Sequence, residues 1–274
     1  MPPGFELEDY LARIGYAGPR SASLDTFEAV HRAHAQTIPF ENLDPLLGRP
    51  VRLDARALQQ KLVRERRGGY CFEHNTLFSH ALKALGFHVT GLAARVMWNQ
   101  PPGAVTPRGH MLLLVDLDDR AYIADVGFGA QTLTGPLRLQ QGIVQATPHE
   151  PFKLVRVGGD FVLHTFIHDQ WRALYRFDLQ EQFLPDYEVS SWYLSNHPES
   201  HFVRGLTAAR PEVNRRFALR NADLTVHHLS GETERRRLTT AAELRATLEN
   251  VFLLALPDAP ELHATLDRLV TRAA

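Results

Sequence analysis

The spacing of apolar residues changes once along this chain, and that change sets its fold class. Up to Gly86 they recur three and four apart. "ELEDYLARIG" puts Leu7, Tyr10, Leu11 and Ile14 at helical spacing, with Gly15 as a stop. "SLDTFEAVHRAHAQTI" places Leu24, Phe27, Val30 and Ala33 three apart behind Ser23, an N-cap residue. "DARALQQKLVRER" opens on Asp54 as cap and sets Leu58, Leu62 and Val63 on one face. "CFEHNTLFSHALKALG" carries Leu77, Phe78, Leu82 and Leu85 and closes on Gly86. Four helices in succession make a small bundle. Short β-rich runs then take over: "HVTGLAARVMW", "HMLLLVDL", "AYIADVGF", "FKLVRV", "FVLHTFI" and "WRALYRFDL". "DLDDR" and "VGGD" read as hairpin turns between neighbours, so this stretch is an antiparallel sheet or barrel. The remainder mixes strands ("RFALRNADLTVHHL", "ERRRL") with two helices. These are "TAAELRATLENVFLLAL", capped by Thr240, and "APELHATLDRLVTRA", with Pro257 between them. The class is α+β.

Composition narrows the function classes. The 274 residues exceed a typical single core, and 44% apolar with 22% charged is ordinary for a globular protein. Thirty basic residues face 31 acidic ones without a long basic block, so no nucleic-acid partner is expected. "MLLLV" and "VFLLAL" fall far short of the roughly 20 residues that cross a bilayer, so no membrane partner is expected. One cysteine forms no internal disulfide, and the opening residues lack a secretion signal; the expected location is cytoplasmic.

That single cysteine, Cys71, sits in "RRGGYCFEHN". A lone cysteine is most often a buried, inert apolar residue. Here Gly68 and Gly69 permit a tight turn that places Cys71 in the first turn of a helix. The helix dipole and a neighbouring imidazolium favour a thiolate there, and an exposed thiolate is a strong nucleophile. Such a nucleophile needs a base, and the base needs an orienting partner. His110 follows the loop "WNQPPGAVTPRGH" and opens a strand, while Asp125 stands among apolar residues on the next strand. A hairpin turning near residue 118 sets residue 110 opposite 126, one from Asp125. A carboxylate on an apolar strand is costly unless paired, and His110 is its natural partner. "CFEH" has a metal-like spacing, but no second Cys/His cluster completes a site, so no metal is expected. A thiol hydrolase uses the same three roles. However, the papain-type cysteine signature is absent, and its histidine lies about 130 or more residues downstream.

"RGGYCFEHN", "RGHMLLLV" and "YIADVGFG", with "IPFENLDPL" and "SNHPESHF" in the same order, resemble the arylamine N-acetyltransferases over roughly residues 5 to 270. The resemblance implies a helical bundle over 1–90, a central antiparallel β-barrel over 91–200 and a C-terminal α/β lid over 201–274. The catalytic core would be cysteine-protease-like. It implies acetyl-CoA as acyl donor and an aromatic amine or hydrazine as acceptor. Carried over by position, Cys71 is the nucleophile, His110 the base and acid, and Asp125 the orienting carboxylate. Phe40, Val96 and Phe128 match acceptor-pocket positions, and Phe202 matches an aromatic position near the cofactor cleft. Gly127 and Gly129 would let the pantetheine arm of coenzyme A approach the backbone. Arg67 and Glu41 match a charged pair that holds the catalytic helix. His74 stands where many members carry glutamine or another residue, and is expected to be solvated or supporting, not catalytic. A polyketide amide synthase on the same fold is the near alternative.

Overall fold

The computed structural model describes residues 2–101 and 103–271. Helix α1 spans Leu7–Arg13 and α2 spans Leu24–Thr37. The Ser23 hydroxyl accepts the Thr26 N–H and so satisfies one orphan donor of α2. A two-residue strand, β1 (Phe40–Glu41), and a single turn, α3 (Leu43–Leu46), follow. Helix α4 (Ala55–Leu58) is capped by Asp54 and widens into a π-helical turn over Gln59–Arg64. Helix α5 runs from Cys71 to Ala84, and Gly86 takes φ 90° just beyond its end.

Eight antiparallel strands come next: β2 (His88–Val96), β3 (His110–Leu117), β4 (Arg120–Ala124), β5 (Leu137–Arg138), β6 (Val144–Gln145), β7 (Phe152–Val157), β8 (Asp160–Ile167) and β9 (Gln170–Phe177). Their order is β5-β4-β3-β2-β9-β8-β7-β6, a barrel that is nearly closed. The Gln145 side chain spans the gap between the end strands. Its Nε2 donates to the Arg138 carbonyl at 2.9 Å and its Oε1 accepts the Arg138 N–H at 2.8 Å. Strand β3 is apolar almost throughout because both faces are covered. Leu112 points into the barrel core with Leu92, Leu163 and Tyr175, while Met111, Leu113 and Val115 pack with Leu77, Phe78 and Leu82 of α5.

Helices α6 (Leu184–Asn196) and α7 (His201–Arg204) lead to the last sheet. This contains β10 (Thr207–Glu212), β11 (Arg215–Arg220), β12 (Asp223–His228) and β13 (Thr233–Arg237), backed by α8 (Ala241–Asn250) and α9 (Pro260–Thr271). The early strand β1 joins it at the edge, pairing Phe40 with Ala209.

Three sequence readings need correction. Helix α6 was not expected; its large apolar residues Val189, Trp192 and Tyr193 face solvent, so they give no buried stripe to read. Helix α8 stops at Asn250, short of the expected Leu256. The Leu253 backbone turns to φ 59°, and the Ala255 N–H bonds the Arg66 carbonyl at 3.3 Å. The hairpin register is one residue off the expected one: Leu117 pairs with Arg120 and Leu113 with Ala124, and Asp125 lies just past the strand end.

The turn before α5 depends on glycine for steric reasons. A Cβ on Gly68 would stand 2.0 Å from the Pro39 carbonyl oxygen, whereas one on Gly159, in the hairpin between β7 and β8, meets open space. Gly68→Ala should therefore lower urea-measured stability by about 1–3 kcal/mol or abolish folding. Gly159→Ala should change it by less than about 0.5 kcal/mol.

Candidate active site

Cys71 is the first residue of α5, and the Gly-Gly turn delivers it there. The Tyr70 N–H donates to Glu73 Oε2 at 3.0 Å, which ties down the helix start, and an acidic group suits that end of the dipole. The thiol is buried, 4% exposed, contrary to the expected exposed sulfur. The backbone before His110 and the segment after Asp125 close over it. Cys71 Sγ lies 3.7 Å from the Gly109 carbonyl, and a Cβ on Gly127 would stand 2.9 Å from Cys71 Cα.

His110 opens β3, and its Nε2 lies 2.7 Å from Asp125 Oδ2. Cys71 lies near enough to help hold a charge on the ring, and Nδ1 is the ring nitrogen that Asp125 does not engage. Burial disfavours the imidazolium. The Asp125 charge and hydrogen bond, helped by Cys71, outweigh this and lift the His110 pKa from 6.5 to about 10. Asp125 is fully buried. Desolvation pushes its pKa up, yet His110, Asn75 and the Gly127 N–H together hold it below the usual carboxylate value. Asn75 Nδ2 donates to Asp125 Oδ1 at 3.0 Å and to the Met111 carbonyl at 2.8 Å, while its Oδ1 accepts the Val126 N–H at 3.1 Å.

A buried ion network steadies the start of α5. Arg67 donates to Glu41 Oε1 at 2.7 Å and to Asp44 Oδ1 at 3.1 Å, and Lys61 Nζ meets Asp44 at 2.5 Å and Glu73 at 2.7 Å. The expected Arg67–Glu41 pair is thus part of a larger cluster. Three carboxylates share two cations there, and burial lifts the Glu73 pKa to about 7 despite Lys61.

The other expected site residues gather around this centre. The Phe128 ring stands edge-on to His110 with centroids 5.0 Å apart, and Tyr175 lies 5.0 Å from His110 and 5.1 Å from Phe128. Val96 pairs with Tyr175 across β2 and β9, two residues beyond Ala94, which pairs with His110. The Phe40 ring lies 3.7 Å from where a Gly129 Cβ would sit, and 6.0 Å from the Phe202 ring. Both glycines have intramolecular reasons to be glycine. Helix α5 presses on Gly127, where a Cβ would also come within 3.0 Å of His74 Cβ, and Gly129 takes φ 82°.

Of the two readings of His74, the solvated one fails and the supporting one stands: it is fully buried, because the helix face that carries Asn75 and Cys71 is packed against the barrel and β1. The sequence reading also missed Asn75, Tyr175, Lys61, Asp44 and Glu73. Asn75 alone left a signal, standing one helical turn from Cys71 and hence on its face. Tyr175 gave none. Its buried hydroxyl lacks a hydrogen bond of good geometry, although burial and the Asp125 charge raise its pKa well above 10.

A thiol, an imidazole and a carboxylate thus lie together where the start of α5 meets the barrel. A family model described as N-acetyltransferase matches residues 23–261. The arylamine N-acetyltransferase of Mycolicibacterium smegmatis is 47% identical over 92% of this chain and 93% of its own, and that of Escherichia coli is 44% identical over 92% and 90%. Among solved structures, the Mycobacterium tuberculosis arylamine N-acetyltransferase superposes with a TM-score of 0.92 at 45% identity, covering 96% of this chain and all of that one. The Mycobacterium marinum enzyme, solved in complex with CoA, superposes at 0.93 with 42% identity, covering 96% and 99%. The chain belongs to the arylamine N-acetyltransferases, a family of acyltransferase enzymes with a cysteine-protease-like fold. Among the described residues no helix is long and apolar enough to cross a membrane.

The His110–Asp125 pair makes stability depend on pH. The folded His110 holds its proton more tightly than the unfolded chain, so its stabilisation is complete below the ordinary value of 6.5 and is lost as pH rises through about 10. Urea midpoints should fall across that window, and Asp125→Asn should flatten the fall.

Proposed function

We propose that this enzyme moves the acetyl group of acetyl-CoA to aromatic amines or hydrazines by double displacement through an acyl-cysteine on Cys71. The observation that carries this reading is the His110 imidazole, gripped by Asp125 at 2.7 Å and set next to Gly109, whose carbonyl lies 3.7 Å from the Cys71 sulfur. The raised His110 pKa keeps an imidazolium present at neutral pH, and an imidazolium is the kind of neighbour that activates a cysteine nucleophile. The Cys71 sulfur attacks the thioester carbonyl carbon and forms a new C–S bond. As the bond to CoA breaks, CoA leaves as a thiol with the proton from His110. The amine nitrogen then attacks the acyl carbon and gives a proton to His110, and the Cys71–acyl bond breaks to regenerate the pair. Asp125 keeps Nε2 occupied, which leaves Nδ1 as the ring nitrogen for proton transfer.

The same reading gives Phe40, Val96, Phe128 and Phe202 to the substrate pocket and Gly127 and Gly129 to the pantetheine path. It divides the chain into a nucleophile-bearing bundle (1–90), a barrel (91–200) and a lid (201–274), working in the cytoplasm. The CoA complex of the Mycobacterium marinum relative supports a CoA thioester as donor.

Radiolabelled acetyl-CoA should acetylate Cys71, and added arylamine should discharge the label as N-acetyl product. Cys71→Ser should fold normally and lose transfer by about ten-thousand-fold or more, as removal of a nucleophile does elsewhere. Unlabelled Cys71 with CoA-independent amide turnover would instead mark a thiol hydrolase. Phe128→Ala should weaken aromatic acceptors relative to small hydrazines by about 0.5–1.5 kcal/mol, the worth of one aromatic pair, read from the ratio of kcat/KM values. Equal loss on both would make Phe128 core packing only.

A further inference from the structure

His74 is a buried imidazole that the chemistry above does not use. It lies on α5 one turn from Cys71, but its two nitrogens point away from the sulfur. Nε2 is 3.1 Å from the Pro39 carbonyl oxygen and Nδ1 is 3.0 Å from His34 Nε2. His34 Nδ1 in turn is 2.9 Å from the Tyr10 hydroxyl. The donor inventory orders this row uniquely. A carbonyl only accepts, so His74 Nε2 carries a proton. The neutral ring then has a bare Nδ1, which accepts from His34 Nε2–H and leaves His34 Nδ1 to accept from Tyr10. All three groups are fully buried. Burial lowers the His74 pKa to about 4 and the His34 pKa well below 6.5, and raises that of Tyr10 well above 10, so the neutral, one-directional row is the form present at neutral pH.

The end of the row touches the candidate acceptor pocket. Pro39 is followed by Phe40, whose ring is almost parallel to that of His74, 7° apart at a centroid distance of 6.4 Å. The Phe40 N-terminal peptide is therefore held by His74, and its ring lies along the His74 ring. Phe40 also neighbours Gly129 and Phe202.

We propose that His74, fed by His34 and Tyr10, is a positioning residue that fixes the Phe40 wall and so selects acceptors by shape, without touching substrate. This rests on the reading of Phe40 as part of the acceptor pocket and deepens it. The discrimination belongs to the acceptor half-reaction alone, since Cys71, His110 and Asp125 share no hydrogen bond with the row.

The test compares His74→Leu, which removes both bonds, with His74→Gln, whose amide can give a hydrogen to Pro39 and accept one from His34. Acetylation of Cys71 by acetyl-CoA is followed in single turnover, and steady-state kinetics are measured with an arylamine and with hydrazine. In His74→Leu the single-turnover rate should stay near wild type. KM for the arylamine should rise about fivefold to tenfold relative to hydrazine, the scale of one displaced aromatic contact, and His74→Gln should restore most of it. Histidine 15N spectra should show both His34 and His74 as Nε2–H tautomers. An unchanged acceptor ratio, equal loss on both acceptors, or slowed acetylation of Cys71 would overturn the proposal. If His74→Leu does not fold, Tyr10→Phe decides. By leaving the buried His34 Nδ1 without a donor, it loosens the row at its far end and should shift the ratio in the same direction by less, and an unchanged ratio overturns the proposal. Failure of acetyl-CoA to label wild-type Cys71 would instead sink the transferase reading itself.

Discussion

Asp125 is an ionised group held entirely out of water, and the architecture around it follows from that condition. An unpaired carboxylate in such a place is not tolerated, so every lone pair must find a donor. Its donors come from three places: His110 at the start of β3, Asn75 on α5, and the Gly127 N–H in the segment after β4. None of these lies on the same element as another. The carboxylate is satisfied only when the helical segment and the barrel are docked in one relative position, which is also the position that brings the Cys71 sulfur to His110. Stability of the docked state and readiness of the candidate nucleophile therefore share a cause.

The opposite side of Cys71 is governed by a second set of buried charges. Glu41, Asp44, Lys61, Arg67 and Glu73 meet around the Gly-Gly turn. Networks of this kind add little net stability over an apolar core, because desolvation offsets most of the Coulomb gain, but breaking one partner is costly. Their effect here is geometric. Arg67 links β1 and α3 to the residue just before the turn, and Lys61 links α3 to the first turn of α5. The start of the helix is thereby pinned from both sides, while Gly68 and Gly69 leave room for the chain to pass under Pro39 and Glu73.

The order of helices, strands and caps could be read along the chain because each depends on neighbours within a turn or two. Ser23, Asp54 and Thr240 cap the helices that follow them, as their side-chain chemistry dictates. Cys71 at a helix start and His110 near Asp125 were legible for the same reason, one from a glycine turn and the other from hairpin pairing. Helix α6 was illegible because its exposed aromatic residues carry no periodic burial signal.

What the sequence determined by itself was local: which segments are helical or extended, where they begin, and which cysteine stands at a helix N-terminus. The resemblance of separated motifs added the family. What only the tertiary structure decided was which distant groups share a buried volume. Nothing in the local pattern says that Phe40 joins the last sheet beside Ala209, that Tyr175 lies against His110, or that Tyr10, His34 and His74 form one row ending on Pro39. The same holds for the burial of the Cys71 thiol and of His74, since either would face solvent on an isolated α5. Hydrophobic periodicity states that a face is covered. Which groups cover it is set by the docking of whole segments, where excluded water makes each buried donor and acceptor find a partner.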